Sequence, residues 1–187
     1  MASSSGSGTA SGPSGPARVV RATDLTRTSW PNGRGTTREI HREPGWRLSL
    51  ATVDAVGTFS VLPDVRRYLL LASDTRLDLA IDGVVTTLGF TDTVEFDGSA
   101  AVEVVGLSGT SNPLNLMTFD GLRGGLTVRR LDSAATLSGR DAAVVVLAGR
   151  LHVGDLVLGP HDTLLLASED VGAVGEAATL ACVQLGG

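Results

Sequence analysis

Apolar and polar residues alternate along most of this chain with a period of two. The pattern is clear in residues 77–82, 94–96, 102–104, 126–129 and 151–153, where every second side chain is aliphatic or aromatic. Successive side chains of a β-strand point to opposite faces, so this period indicates half-buried strands. Gly, Asp, Asn or Pro interrupts the segments roughly every 8 to 12 residues, as in β-sandwiches and barrels. The sequence therefore predicts an all-β, mostly antiparallel fold.

Turns and helices are predicted from the residues between these segments. Little helix is expected, at most a short turn around residues 18–24 or 111–115. Four dipeptides favour tight turns because their residues adopt positive φ at low cost. They are Asp82-Gly83, Asp97-Gly98, Asp120-Gly121 and Gly124-Gly125.

A seven-residue segment occurs twice. Residues 88–94, Leu-Gly-Phe-Thr-Asp-Thr-Val, match residues 158–164, Leu-Gly-Pro-His-Asp-Thr-Leu, at a constant offset of 70. Each copy follows two strand-like segments and a glycine turn, and the second copy resembles the structural part of the second cupin motif. The duplication predicts a double cupin of two β-barrel or sandwich units. We place the first unit at residues 18–118 and the second at 119–187, after a disordered tail at 1–17.

Composition limits the class of protein. Hydrophobic residues make up 42% and charged residues 19%, which suits a globular domain, and no segment approaches the ~18 apolar residues of a membrane helix. The Ser- and Gly-rich start lacks the basic and apolar regions of a secretory signal, so a cytoplasmic protein without membrane contact is expected. Cys182 is the only cysteine, which excludes an intramolecular disulfide and a multi-cysteine zinc site. We expect it to be a small buried hydrophobe.

Charge is distributed unevenly. All 15 basic residues are Arg. Residues 18–67 hold nine Arg and five acids, a net charge of +4, whereas residues 68–187 hold six Arg and fifteen acids, a net charge of −9. A nucleic-acid-binding face would be more densely basic. The basic first third is better suited to a small anion.

The first third also carries a family resemblance. Residues 30–40 (Trp-Pro-Asn-Gly-Arg-Gly-Thr-Thr-Arg-Glu-Ile), residues 46–51 (Trp-Arg-Leu-Ser-Leu-Ala) and residues 57–63 (Gly-Thr-Phe-Ser-Val-Leu-Pro) stand in the order and spacing of the HutD/Ves family. Residues 67–71 and 115–117 fit two later segments of the family pattern. The resemblance implies a bicupin linked to histidine utilisation, as a governor or regulator that binds an intermediate such as N-formylglutamate or urocanate. Six residues depart from the family pattern: Pro31, Arg34, Leu62, Asp64, Arg66 and Pro113.

Candidate site residues follow from strand alternation and from this resemblance. Residues 36–41 and 46–53 are predicted strands, the second with Trp46, Leu48 and Leu50 on one face and Arg47, Ser49 and Ala51 on the other. Arginines in a barrel mouth could grip a carboxylate through two parallel hydrogen bonds. We expect Arg38 and Arg47 to clamp the anion, with Asn32, Thr37 and Ser49 as orienting partners. The alternative is that the arginines serve only in ion pairs or are solvated.

Three more residues belong to the candidate set. Arg67 and Asn115 are second-tier ligand-binding candidates, although Asn115 could equally satisfy backbone groups in a turn after Pro113. Glu39 lies beside Arg38, and an adjacent cation should keep its pKa low, which suits binding more than general-base catalysis. Met117 is expected in the core.

A metal site is not expected, although metal binding is common among cupins. His41, His152 and His161 are the only histidines, and no His-x-His pair is present. Nucleophile-elbow, dinucleotide-binding and Walker sequences are also absent, so neither a cofactor nor a catalytic residue is assigned. Two alternatives to a non-enzymatic binder stay open: a metal-independent isomerase or hydrolase that uses Glu39, and a stress-related protein with a vestigial pocket. Exposed strand edges also favour a homodimer.

Overall fold

A computed structural model describes residues 17–186, so the predicted tail lies outside the described residues except for Ala17. The described residues form seventeen β-strands and one short 3-10 helix, Ala22–Asp24, which confirms the predicted all-β fold. Within residues 17–186, no helix is long and apolar enough to cross a membrane. The strands are β1 Arg18–Val20, β2 Arg27–Ser29, β3 Gly35–Glu43, β4 Trp46–Val53, β5 Gly57–Thr58, β6 Arg66–Leu71, β7 Leu77–Ile81, β8 Val84–Leu88, β9 Thr93–Asp97, β10 Val102–Leu107, β11 Pro113–Thr118, β12 Arg123–Leu131, β13 Ala134–Leu137, β14 Asp141–Val153, β15 Leu156–Leu158, β16 Thr163–Leu165 and β17 Val171–Gly186.

The strands form three antiparallel sheets. A six-stranded sheet has the order β2-β3-β4-β11-β6-β9, and a four-stranded sheet has the order β5-β10-β7-β8. We call these two sheets the first unit. A seven-stranded sheet, the second unit, has the order β1-β16-β14-β17-β12, with β13 on β17 and β15 on β14. The first strand of the chain therefore completes the sheet of the second unit, through pairs such as Val19 with Leu164.

The six-stranded sheet is buried on both faces. Leu48 and Leu70 face the seven-stranded sheet and share a core with Val145. Leu69 and Leu71, from the same strand as Leu70, face the four-stranded sheet. A strand covered on both sides needs consecutive apolar residues, which is why β6 contains a run of leucines and does not alternate.

The duplicated segment forms the same turn in both units. Asp92 accepts a hydrogen bond from Gly89 N (2.9 Å), and Asp162 accepts one from Gly159 N (3.1 Å). The residue before each Asp has positive φ, 71° at Thr91 and 72° at His161. Each turn also exchanges two backbone hydrogen bonds with a buried strand, the first with Leu71 and the second with Val146. The predicted internal repeat is thus a repeat of backbone geometry.

The predicted turns are only partly correct. Asp82 and Gly83 both have positive φ between β7 and β8, as do Asp120 and Gly121 before β12. Gly124 and Gly125 lie inside β12, so the turn predicted there is wrong. A side chain on Gly124 would come within 3.0 Å of Leu116 and Thr118, because β12 passes close to the six-stranded sheet. The short turn allowed at residues 111–115 is likewise replaced by the start of β11.

Candidate functional site

The first unit contains a cavity of about 260 Å³, close to the lower end of the size range of small-molecule sites. Its floor is the face of the six-stranded sheet that points to the four-stranded sheet, and residues before β3 and after β5 form its walls. Two cations and no acidic side chain line it. The lining residues are Trp30, Asn32, Thr37, Arg47, Ser49, Ala51, Thr58, Phe59, Ser60, Leu62, Arg67, Asn115 and Met117.

The strand register places the polar floor residues in two rows. Asn115 of β11 lies opposite Ser49 of β4. In the next row, Met117 lies between Arg47 of β4 and Arg67 of β6. Neighbouring strands are roughly 4.8 Å apart, so both arginines reach the same small volume from opposite sides of β11.

Arg67 is the most deeply buried charged residue of the cavity, with only 7% of its surface exposed. Its guanidinium carbon lies 5.1 Å from the ring centre of Phe59 and 5.0 Å from that of Phe96, so two aromatic faces stabilise the cation. Within the described part of the chain, a long 3.5 Å hydrogen bond to the Ser60 carbonyl is its one hydrogen bond, and its Nε has no partner. Burial, and then the charge of Arg47, lower the pKa of Arg67 to about 10.

Arg47 lies nearer the cavity mouth and is paired. Its Nε donates to Glu39 Oε2 at 2.7 Å, and Arg42 donates to the same oxygen at 3.2 Å. Burial alone would raise the pKa of Glu39, but the hydrogen bonds from Arg47 and Arg42 outweigh it and the pKa is lowered. The Nη1 atom of Arg47 lies 4.0 Å from the Met117 sulfur.

Ser49 and Asn115 present neutral polar groups on the floor. Ser49 is 2% exposed and Asn115 is 5% exposed. The Asn115 Nδ2 donates to the Pro113 carbonyl at 3.2 Å, whereas its Oδ1 is buried without a partner. Asn115 therefore lies in a strand and faces the cavity, and does not belong to a turn.

Segments before β3 form one wall of the cavity. The Trp30 indole donates to the Thr37 hydroxyl at 2.8 Å and packs edge-on against Phe59, which fixes the ring across the cavity. Asn32 accepts a hydrogen bond from the backbone of Arg34. The Arg34 guanidinium turns away to the Val56 carbonyl at 2.6 Å, so this departure from the family pattern adds no charge to the cavity.

Six of the eight predicted site residues line the cavity, and Arg38 and Glu39 do not. The six are Asn32, Thr37, Arg47, Ser49, Arg67 and Asn115. Arg38 lies opposite Leu50 in the register, on the face that points to the second unit. Burial and the nearby charge of Arg27 lower its pKa. Because consecutive residues of a strand face opposite sides, Thr37 and Arg38 cannot both line this cavity. Glu39 contributes indirectly, through its ion pair with Arg47.

Apolar wall residues were not predicted as site residues. Trp30 and Phe59 lie in the motif segments that carry the family resemblance, so the motif could have identified them as site residues. Phe96 could not be identified in this way, because it reaches Arg67 only through the pairing of β6 with β9. A sequence pattern shows neighbours within a strand but not partners across strands.

The described residues do not fit a metal ion. Residues 17–186 contain no group of three or more His, Cys, Asp or Glu side chains that could hold one. His41 packs against Trp46 with the two rings tilted, His152 lies near Glu176, and His161 belongs to the second copy of the repeated turn. Cys182 is buried in the core of the second unit, as predicted, and burial raises the pKa of its thiol to about 12.

Comparison with known proteins identifies relatives over most of the chain. The family model described as HutD matches residues 22–183. An uncharacterized 21.2 kDa protein in the hutC 3′ region of Pseudomonas putida is 30% identical over 169 residues, which cover 82% of this chain and 88% of that protein. Protein Ves of Citrobacter koseri is 33% identical over 138 residues, covering 69% and 72%.

Solved structures show the same architecture. HutD from Pseudomonas fluorescens SBW25, in a formate condition, superposes with a TM-score of 0.74 and 25% identity, covering 91% of this chain and all of that chain. A Cupin 2 conserved barrel domain protein from Leptotrichia buccalis superposes with a TM-score of 0.59 and 13% identity, covering 90% and 95%. Together with the duplicated turn, these matches confirm the predicted double cupin.

Proposed function

This chain belongs to the HutD family, and we propose that it binds one small carboxylate-bearing metabolite in the cavity of its first unit without converting it. The expected ligand resembles N-formylglutamate or urocanate, and binding would let the protein govern or regulate histidine utilisation. The P. putida relative is named for the hutC 3′ region, which supports a link to this pathway.

The unpaired charge of Arg67 carries the proposal. A buried cation without an acidic partner is costly, because it loses hydration and gains no counter-ion. Two phenylalanine faces compensate for only part of that cost. A carboxylate in the cavity would supply both the missing negative charge and an acceptor for the unpartnered guanidinium hydrogens.

Arg47 is expected to assist at the mouth of the cavity. It lies across Met117 from Arg67, so a carboxylate between the two guanidiniums could accept hydrogen bonds from both. Its pair with Glu39 is 2.7 Å long and partly exposed, and exposed pairs contribute at most about 1 kcal/mol. Arg47 can therefore exchange Glu39 for a ligand carboxylate with little loss of free energy.

Binding is favoured over catalysis by the state of Glu39. A general base needs a pKa near the working pH, and the two arginine contacts of Glu39 lower its pKa. Among the described residues, no acid, histidine or cysteine lines the cavity itself. The groups that line the cavity are two guanidiniums, two side-chain amides, several hydroxyls and apolar surface, a set suited to recognition.

Thermal denaturation with candidate acids tests the proposal. N-formyl-L-glutamate, urocanate and L-glutamate are each added at millimolar concentration, and Tm is measured. A ligand present at about 100 times its Kd adds ~2.7 kcal/mol of stability, or roughly 5–10 °C for a chain of this size. Tm shifts below about 1 °C for every acid would count against a carboxylate site.

Charge-matched variants locate the effect. Arg67→Met should abolish the ligand-induced shift, whereas Arg130→Met removes the same charge from an exposed position in β12 and should keep it. Without ligand, Arg67→Met should melt at or above the wild-type temperature, because an apolar side chain replaces an unpaired buried cation. A ligand shift that survives in Arg67→Met would place the binding site elsewhere.

A further inference from the structure

Asn115 occupies a special place on the cavity floor. It lies directly opposite Ser49 and Leu69 on the two neighbouring strands. Arg47 and Arg67 are its diagonal neighbours, one on each side, and such neighbours are roughly 7–8 Å apart in antiparallel sheets. A ligand carboxylate held by the arginines would therefore lie within a few bonds of the Asn115 amide.

The orientation of this amide is determined by its neighbour. The Pro113 carbonyl can only accept, so the group 3.2 Å from it must be the amide nitrogen. The oxygen is consequently the end without a partner, and it is buried. The amide torsion is soft, so a small rotation would let this oxygen meet a ligand.

The remaining polar side chains around the cavity are mainly donors. Both guanidiniums donate only, and the Ser49 hydroxyl can donate. The Thr37 oxygen already accepts a hydrogen bond from Trp30, and the Asn32 oxygen accepts one from Arg34. The Ser and Thr hydroxyls of the lining can either donate or accept, so among the described lining residues the Asn115 oxygen is the one buried, acceptor-only side-chain atom without a partner. An acid that offers only acceptors would leave this oxygen unsatisfied.

We infer that Asn115 makes the site selective for acids that carry an N–H or O–H donor close to the carboxylate. This inference rests on the proposed function and narrows its substrate class, to which N-acylated amino acids and imidazole-bearing acids belong. A ligand without the donor would leave the Asn115 oxygen unpaired, as it is in the ligand-free protein, whereas a ligand with the donor would satisfy it. Sites with a buried polar group reject such analogues strongly.

Pairs of ligands that differ at one atom test the inference. Urocanate is compared with its oxazole analogue, in which oxygen replaces the ring N–H. N-formyl-L-glutamate is compared with its ester analogue, in which oxygen replaces the amide N–H. Calorimetry on the wild type should show that the N–H member of the pair that binds is tighter by about 10- to 100-fold. In Asn115→Leu, which removes the amide at similar volume, the ratio should fall to about 1.

Each outcome separates the inference from the proposed function. Equal affinity of both members of a pair for the wild type would overturn the inference and leave carboxylate binding intact. A preference that persists in Asn115→Leu, or in Asn115→Ala if the first variant does not fold, would overturn the role of Asn115. Failure of all four acids to bind would overturn both proposals.

Discussion

Three arginines of the six-stranded sheet have three different environments. Arg67 is buried between aromatic rings, Arg47 is paired with an acid at the cavity mouth, and Arg38 faces the second unit. Strand alternation in the sequence assigns each residue to a face of the sheet but does not indicate how deeply its side chain is buried. Arg67 is buried because Phe59 and Phe96, which belong to other segments of the chain, cover its guanidinium. For this reason Arg67, a second-tier candidate from the sequence, is the central residue of the proposed site.

His161 is a single residue whose burial affects stability. It occupies the positive-φ position of the second repeated turn, and its Nε2 lies 3.4 Å from the Ala72 carbonyl of the first unit. Burial lowers the pKa of His161, and the charge of Arg38 lowers it as well. The contact with the Ala72 carbonyl and the charge of Asp162 raise the pKa by less. The net result is a pKa below the ordinary value, so the folded protein favours the neutral ring.

Acid should therefore weaken the fold partly through His161. Below pH 6.5 the unfolded chain binds more protons at this residue than the native protein does, so the free energy of unfolding falls as pH falls. One such group contributes at most about 1.4 kcal/mol per pH unit. In urea unfolding at pH 7.5 and 5.5, His161→Asn should lose less stability than the wild type. Asn tolerates positive φ, so the turn is kept. Equal losses in both proteins would contradict this role.

The repeated turn shows how one element is used in two ways. In the first unit, Asp92 holds its own turn and is exposed. In the second unit, Asp162 also accepts hydrogen bonds from Ala22 N at 2.9 Å and from Arg21 at 2.8 Å. These contacts fasten the 3-10 helix that follows β1 to the second unit. The same turn is thus a local structure in one copy and a point of attachment in the other.

Substitution of the two aspartates should separate these roles. Asp92→Ala should cost about 1 kcal/mol, the usual value of one neutral-donor hydrogen bond. Asp162→Ala should cost about 2–4 kcal/mol, because a partly buried Arg and two backbone N–H groups lose their acceptor. Urea denaturation midpoints with unchanged m-values measure both losses. Similar losses for the two variants would contradict an attachment by Asp162.

The sequence predicts the strands of this protein better than the connections between them. Alternation placed Trp46, Leu48 and Leu50 on one face of β4 and Arg47, Ser49 and Ala51 on the other, and the structure confirms this division. The glycines of β12 were misassigned, because a glycine required for close packing of two strands has the same one-letter signal as a glycine in a turn. Close packing depends on which strands meet, and local sequence does not encode that.

The two units of the molecule share a framework but differ inside. Alignment of the repeated turns pairs Leu71 with Val146, and counting back four residues pairs Arg67 with Ala142, an apolar residue of the core between the units. Twelve buried apolar side chains of the described residues fill the interior of the second unit, including Leu137, Leu151 and Leu180. The interior of the first unit instead combines a smaller apolar core, which includes Leu77 and Leu79, with the polar cavity. The duplication therefore supplies two scaffolds and one candidate site.

A stoichiometry of one ligand per chain is expected. Isothermal titration with any acid that stabilises the wild type should show a single class of sites with n close to 1. Arg67→Met should remove the whole signal, since Arg67 is the one buried arginine among residues 17–186. A titration with n near 2, or half of the heat remaining in Arg67→Met, would reveal a second site.

The doubly buried six-stranded sheet also sets the kind of genetic change that the protein can accept. In β4, β6 and β11 one face forms the cavity floor and the other forms the core between the units. Insertion or deletion of one residue exchanges the two faces of a strand. It would turn leucines into the cavity and arginines into the core in a single event. The lengths of these three strands are therefore constrained more tightly than the identities of their individual residues.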